Sequence, residues 1–362
     1  MPDCLPKEAK QEDDLVFKVG LIGTGFWSEK HLRAWQRIPN AQIAALCNRS
    51  KEKLLRKADE YGVPHDQLYS SLEEMLERAD IDIVDIVTPP ETHLELVKLA
   101  AKAGKHIMCQ KPFAPSYEEA EAIVAAARQH GARLMVTENW RWLQPIQLIK
   151  QVMESGVLGS IRVARFIHSD YFTERMKPGA NLPQPFLTKM PKLMFYEMGV
   201  HWYDTWRFLF GDPKRLYAET RSFSPNVVGD DSGVVTLGYD DFYGLMDICW
   251  VTRRELTGPI IEEQVDARFV EHFVIDGDRA TLKMYGSEGK IVLIDNDGQE
   301  SVVAERTELD HEESHYRLQS HFVDCLTSGR PFQTSGEDNL LTLRLAFATY
   351  ESSEKRQVVH FD

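Results

Sequence analysis

The chain has 362 residues, a formal net charge of -14 and 43% hydrophobic residues. That length suggests two domains of ordinary size with sizeable cores. The acidic balance, with no Lys/Arg cluster to offset it, argues against a nucleic-acid partner, because a phosphate backbone needs a basic face. The five cysteines, Cys4, Cys47, Cys109, Cys249 and Cys325, are widely spaced and form no CxxC pair. Reduced thiols in a cytoplasmic compartment are therefore expected, with no metal site. Residues 1–14, MPDCLPKEAKQEDD, are polar and lack the basic and apolar regions of a signal peptide, so they read as a flexible tail. No apolar run is long enough to span a membrane.

From residue 15 the chain alternates strand and helix. Residues 15–22 (LVFKVGLI) form a buried-strand run, followed by a glycine turn and a helix over 29–37. Strands are expected over 42–47, 81–87, 106–109 and 133–137. Helices are expected over 51–61, 71–78, 91–103 and 117–130. Alternation with short turns predicts a parallel sheet covered by helices, with ligands bound at the carboxyl ends of its strands.

The second half differs. A helix over 146–154 and a strand over 160–172 precede a proline-rich loop over 173–191 and a helix over 192–210. Residues 214–306 then alternate with period two and are broken by Asp-Gly turns, which predicts an antiparallel meander. Helices over 315–327 and 337–353 follow, with a short strand over 357–361.

The turn Gly23-Thr24-Gly25-Phe26-Trp27 lies between a buried strand and a helix. There Gly23 permits a tight turn and Gly25 a close backbone approach, while the helix N-terminus offers free N–H groups to a pyrophosphate. These five residues are candidate cofactor contacts, although Ser28 replaces the third small glycine. Asn48-Arg49, at the end of the second strand, lack the acid that binds a ribose 2′-hydroxyl. That chemistry favours NADP, with Asn48 still able to serve NAD. Thr88 and His93, in VTPPETH after the 81–87 strand, are further candidates for the nicotinamide end.

Two stretches carry possible acid–base chemistry. HIMCQKPFAP ends a short strand in Gln110-Lys111-Pro112. In the 192–210 helix, Glu197, His201 and Asp204 fall at i, i+4 and i+7 on one face, costly to bury without partners. A satisfied core histidine is the plainer reading, and metal binding would need a further ligand that the chain does not place. ENWRW (138–142) marks a crossing between domains, and its tryptophans, with Trp202 and Tyr203, are candidate walls for a ring-shaped substrate.

Taken together, VGLIGTGFWSEKH, VTPPETH, QKPFA, EMGVHWYD and the C-terminal HFVDCLTSGRPFQTSGEDNLLTL resemble the Gfo/Idh/MocA oxidoreductases. The resemblance implies an α/β architecture: an N-terminal Rossmann doubly wound sheet over 15–142, and a C-terminal α+β domain over 143–362 with an open, mostly antiparallel sheet. It further implies NAD or NADP as cofactor, a sugar or polyol as substrate, and a homodimer or homotetramer. Lys111 and His201 would be catalytic, with Glu197 orienting His201. Gln110, Lys111 and Asn139 would touch cofactor, and Trp140, Arg141, Trp142 and Trp202 substrate. CQKPFAPS with ENWRW is similar to a branch that includes bacterial D-apiose dehydrogenases, whose members can use NAD despite an Asn-Arg pair. Glutamine at 110 replaces the family's glutamate, and the missing carboxylate should make Lys111 a readier base. Two other roles remain open at this point. One is an oxidoreductive glycosidase with retained NAD; the other is a non-catalytic dinucleotide or sugar sensor.

Overall fold

The computed structural model describes residues 16–252, 270–285 and 289–361. The expected tail over 1–14 and part of the expected meander lie outside them. The chain forms two compact units. One runs to Gln110 and takes in Ala122–Thr137 and His315–Ser335; the other comprises Lys111–Glu121, Glu138–Ser314 and Gly336–Asp362. The chain therefore does not divide once near residue 142.

In the first unit β1 (Phe17–Ile22), β2 (Ala41–Cys47), β3 (Leu68–Tyr69), β4 (Ile83–Ile86), β5 (His106–Cys109) and β6 (Leu134–Val136) form a parallel sheet in the order β3-β2-β1-β4-β5-β6. β3 was not legible in the sequence because two residues carry no period. All four residues of β4 are buried, as in a parallel sheet covered on both faces. One of them is Asp85, a carboxylate in the centre of the sheet. It accepts hydrogen bonds from Trp35 Nε1 at 2.8 Å and from His31 Nδ1 at 2.9 Å, both on α1 (Ser28–Arg37). Strand order reverses between β1 and β4, so a crevice opens at their carboxyl ends. Leu21, Leu32, Leu46, Leu54, Ala58, Val63 and Val87 form a core cluster beneath it, with α2 (Lys51–Tyr61) contributing Leu54 and Ala58. The segment 315–335 belongs here because Val136 N–H donates to Thr334 O and Gln319 Nε2 to His31 O.

The second unit is built on a nine-stranded sheet. Its strands are β7 (Ile161–Ser169), β8 (Arg215–Arg221), β9 (Ser232–Gly238), β10 (Tyr243–Cys249), β11 (Val270–Gly277), β12 (Ala280–Tyr285), β13 (Lys290–Asp295), β14 (Glu300–Ala304) and β15 (Val359–His360). Their order is β14-β13-β12-β11-β7-β10-β9-β8-β15. The expected single meander is thus two antiparallel runs, one on each side of β7. β7 pairs in parallel with β10 and antiparallel with β11, which makes the sheet mixed. One face carries buried residues such as Phe166, Val235, Met246, Phe273 and Leu282. On it Gly244 of β10 lies so close to Trp206 that a Cβ there would sit 2.1 Å from the indole. Trp206 belongs to α7 (Gly199–Phe210), which thereby packs against β10. Gly244→Ala should lower the melting temperature by the equivalent of about 1–3 kcal/mol, the usual cost of overpacking, as a thermal melt would read.

Candidate functional site

The glycine turn fits a dinucleotide pyrophosphate. Gly23 has φ +99°, and a Cβ there would meet Val87 O at 2.1 Å, so only glycine closes the turn against β4. Gly25 is exposed, with nothing within 4 Å of its Cβ direction, which leaves room for a ligand beside the start of α1. Ser28, in place of a third glycine, donates from Oγ to Gly25 O at 2.7 Å and braces the loop. Thr24 is buried, Phe26 is exposed, and Trp27 is half-buried and stacked on His315.

Several expected cofactor contacts are committed elsewhere. Asn48 donates from Nδ2 to Thr24 Oγ1 and accepts from Ser50 N–H at 3.0 Å, so its amide braces two loops instead of facing a ribose. Arg49 is exposed. His93 is fully buried and donates from Nε2 to Thr88 O at 2.9 Å, which shapes the turn after β4. Thr88 is half-buried, with Oγ1 2.7 Å from Thr92 Oγ1. Asn139 is buried and donates to Ser314 Oγ at 2.7 Å. Gln110 presents its amide nitrogen to His31 Nε2 at 3.0 Å. An amide nitrogen only donates, so His31 accepts at Nε2 and donates from Nδ1, and Gln110 completes a buried chain to Asp85.

The second unit assembles a cluster of ionisable groups around α7. The helix begins after a π turn over Met194–Met198, where Gly199 N–H donates five residues back to Met194 O. Asp230 anchors that turn by accepting from Leu193 N–H at 2.8 Å and Phe195 N–H at 3.1 Å. The extra residue rotates Glu197 away from its expected i, i+4 partner. Glu197 therefore does not orient His201. It accepts from Lys111 instead: Lys111 Nζ donates to Glu197 Oε1 at 2.7 Å and to Glu197 O at 2.8 Å. The carboxylate missing at position 110 is thus supplied from position 197.

His201 is held by Glu138. Its Nδ1 lies 2.6 Å from Glu138 Oε2, with 5% and 1% of the two side chains exposed. Trp140 stacks on the imidazole, with centroids 5.3 Å apart and planes 9° apart. Burial pushes the Glu138 carboxyl up to about 8, and burial together with the Lys111 charge pushes the His201 imidazole well down. Both shifts favour a pair without net charge. The ENWRW stretch reveals Glu138 only as a carboxylate at a strand end, and the site role of that residue was missed.

The expected substrate contacts also fall differently. Arg141 is buried and forms a bidentate pair with Asp204, Nε to Oδ2 at 2.8 Å and Nη2 to Oδ1 at 2.5 Å. It reaches Asp338 of α9 (Gly336–Lys355) at 3.3 Å. Trp202 packs among Phe166, His168, Phe195 and Trp250. Trp140 and Trp202 line a small apolar cavity with Phe166 and Phe273, while Trp142 is half-buried. Among the described residues no group of three or more His, Cys, Asp or Glu is placed to hold a metal ion. No helix among them is long and apolar enough to cross a membrane.

The parallel sheet with its glycine turn agrees with the comparisons. Residues 17–138 match the model for the oxidoreductase family with NAD-binding Rossmann fold, and residues 146–292 its C-terminal domain. The chain belongs to the Gfo/Idh/MocA oxidoreductase family. It is 33% identical over 357 residues to a D-apiose dehydrogenase of Paraburkholderia graminis, covering 95% of this chain and 89% of that one. A second D-apiose dehydrogenase, from Rhizobium rhizogenes, is 32% identical over 94% of this chain and 96% of its own. Among solved structures, an oxidoreductase from Agrobacterium radiobacter in complex with NAD+, L-tartaric acid and magnesium superposes with TM-score 0.84 at 30% identity, covering 95% and 98% of the two chains. The protein is thus an oxidoreductase with an NAD-binding Rossmann domain and a mixed-sheet C-terminal domain.

Burial pushes the Asp204 carboxyl up to about 6 against the lowering pull of Arg141. Arg141→Met should destabilise the protein by about 3–5 kcal/mol, as expected for a buried pair broken on one side. Without its partner Asp204 is tolerated only protonated, while the unfolded chain ionises it freely. The deficit in melting temperature should therefore be larger at pH 8 than at pH 5.

Proposed function

We propose that this oxidoreductase transfers a hydride between a hydroxyl of a sugar or polyol and NAD. One observation carries the reading. Lys111 and His201, two groups able to carry a hydroxyl proton, occur in one buried cluster, each hydrogen-bonded to its own carboxyl partner. Oxidation of a hydroxyl needs a hydride acceptor, which the nicotinamide supplies when bound, and a base for the proton. Lys111 takes that proton, and the Glu197 carboxylate steadies its ammonium form. His201 hydrogen-bonds the same hydroxyl through Nε2, with its ring plane fixed by Trp140. The likeness to D-apiose dehydrogenases makes aldoses of that kind the first substrates to try. The family description and the NAD+ complex of the Agrobacterium protein favour NAD over the NADP that Asn48-Arg49 suggests chemically.

The proposal is checked by a spectrophotometric screen of sugars and polyols with NAD and NADP in parallel. Turnover with NAD on an aldose or polyol is expected. Lys111→Ala and His201→Ala should each lower kcat by about 100- to 10,000-fold, the usual range for a lost acid–base group. Unchanged turnover in either variant would sink that residue's assigned role.

We also infer that two copies associate through the uncovered face of the nine-stranded sheet. Val163, Ile167, Val234 and Leu245 lie on it and are half-buried or exposed. Val234→Glu should shift the protein to a smaller species in analytical ultracentrifugation, and an unaltered mass would refute this surface.

A further inference from the structure

We propose that Glu138 is the positioning residue of His201, and that it switches the imidazole from a hydrogen-bond donor to an acceptor by exchanging one proton across the Oε2–Nδ1 contact. This deepens the dehydrogenase reading and rests on it for the choice of His201 as the group that meets the hydroxyl. The pairing itself stands on geometry. Oε2 sits 2.6 Å from Nδ1, while the other oxygen, Oε1, is buried with no hydrogen-bond partner among the described residues. A carboxylate with one oxygen buried and unsatisfied is costly, and a carboxylic acid much less so.

The surrounding charges relieve that cost only in part. Lys111 on the loop after β5 and Arg141 in the ENWRW turn are the cations that act on Glu138. Each is already engaged, by Glu197 and Asp204 respectively. Glu197 on the π turn, Asp204 on α7 and Asp338 on α9 add negative charge against it. His201 is thus left as its direct partner. Trp140, stacked on the ring, prevents the imidazole from turning to use another acceptor.

Two states follow, and each balances. With the proton on Glu138, Oε2–H donates to Nδ1, the ring carries its hydrogen on Nε2, and His201 is a donor toward a substrate oxygen. When the pair loses one proton to solvent, the ring hydrogen sits on Nδ1 and is donated to the Glu138 carboxylate. Nε2 then holds a lone pair and is an acceptor. The first state suits a hydrogen bond given to a carbonyl oxygen during reduction, the second a hydrogen bond accepted from a hydroxyl during oxidation, while Lys111 carries the transferred proton. Burial of Glu138 places the change near pH 8.

The test is a pH titration of the full-length protein with 15N-labelled histidine, read by NMR. In the wild type, His201 Nε2 should change from pyrrole-like at pH 6 to pyridine-like at pH 9.5, with a midpoint near 8. In Glu138→Gln the amide cannot exchange a proton with Nδ1, so Nε2 should keep one character from pH 6 to 9.5. An Nδ1–H tautomer already present at pH 6, or the same titration in wild type and variant, would overturn the proposal. A thermal melt supplies a second reading. Folded Glu138 keeps a proton that the unfolded chain releases from about pH 4.5 upward, so wild-type stability falls as pH rises toward 8. The melting temperature of Glu138→Gln should therefore gain on the wild type over that window, and a constant difference would count against the switch. Should Glu138→Gln not fold, the wild-type titration and Glu138→Asp, which should keep a switching ring, decide the matter. None of these readings needs turnover. A switch without activity in the sugar screen leaves the dyad standing and removes the dehydrogenase reading; activity without a switch does the reverse.

Discussion

A charge taken out of water must find a partner, and the second unit is organised by that requirement. Lys111, Arg141 and His201 are all nearly buried, and each has a carboxyl partner: Glu197, Asp204 and Glu138 respectively. The three pairs sit side by side along the start of α7. Two are ion pairs, held by the attraction that offsets desolvation. The third has no spare cation and settles as a neutral pair. The same neighbourhood thus gives the lysine a carboxylate partner and leaves the histidine neutral, which suits two groups with different tasks on one hydroxyl.

Much of the fold was legible in the sequence. The parallel sheet showed in the buried runs and glycine-closed helices, since a strand covered on both faces leaves a short, continuous apolar run. The place of β7 was not legible. Residues 160–172 read as a strand, but no local pattern tells which partners a strand takes when they arrive many residues later. β3, two residues long, gave no pattern at all.

The site was legible in its residue types and misread in its pairings. Lys111, Glu197 and His201 were all singled out, yet helical spacing joined Glu197 to His201. A π turn adds one residue without any change in composition, so periodicity cannot see it. Asn48, His93, Asn139 and Arg141 looked like ligand contacts because polar side chains near glycine turns and strand ends so often are. The structure instead spends their hydrogen bonds on neighbouring loops and on Asp204. Glu138 was read as part of a domain crossing, since the histidine that explains it lies 63 positions later.

The central position of β7 has a kinetic consequence. Tyr243 of β10 pairs with Val163, and Phe273 of β11 with Phe166, so β7 finds its two neighbours only after roughly a further 80 and 107 residues have been made. Until then its backbone donors and acceptors on both edges are open. Closing such long loops early is entropically costly, and folds dominated by distant pairings form slowly. During synthesis the unpaired β7 is an exposed strand edge, the kind of surface that recruits chaperones or other unfinished chains. The strand that joins both halves of the sheet in the finished molecule is thus its most vulnerable segment while the molecule is being made.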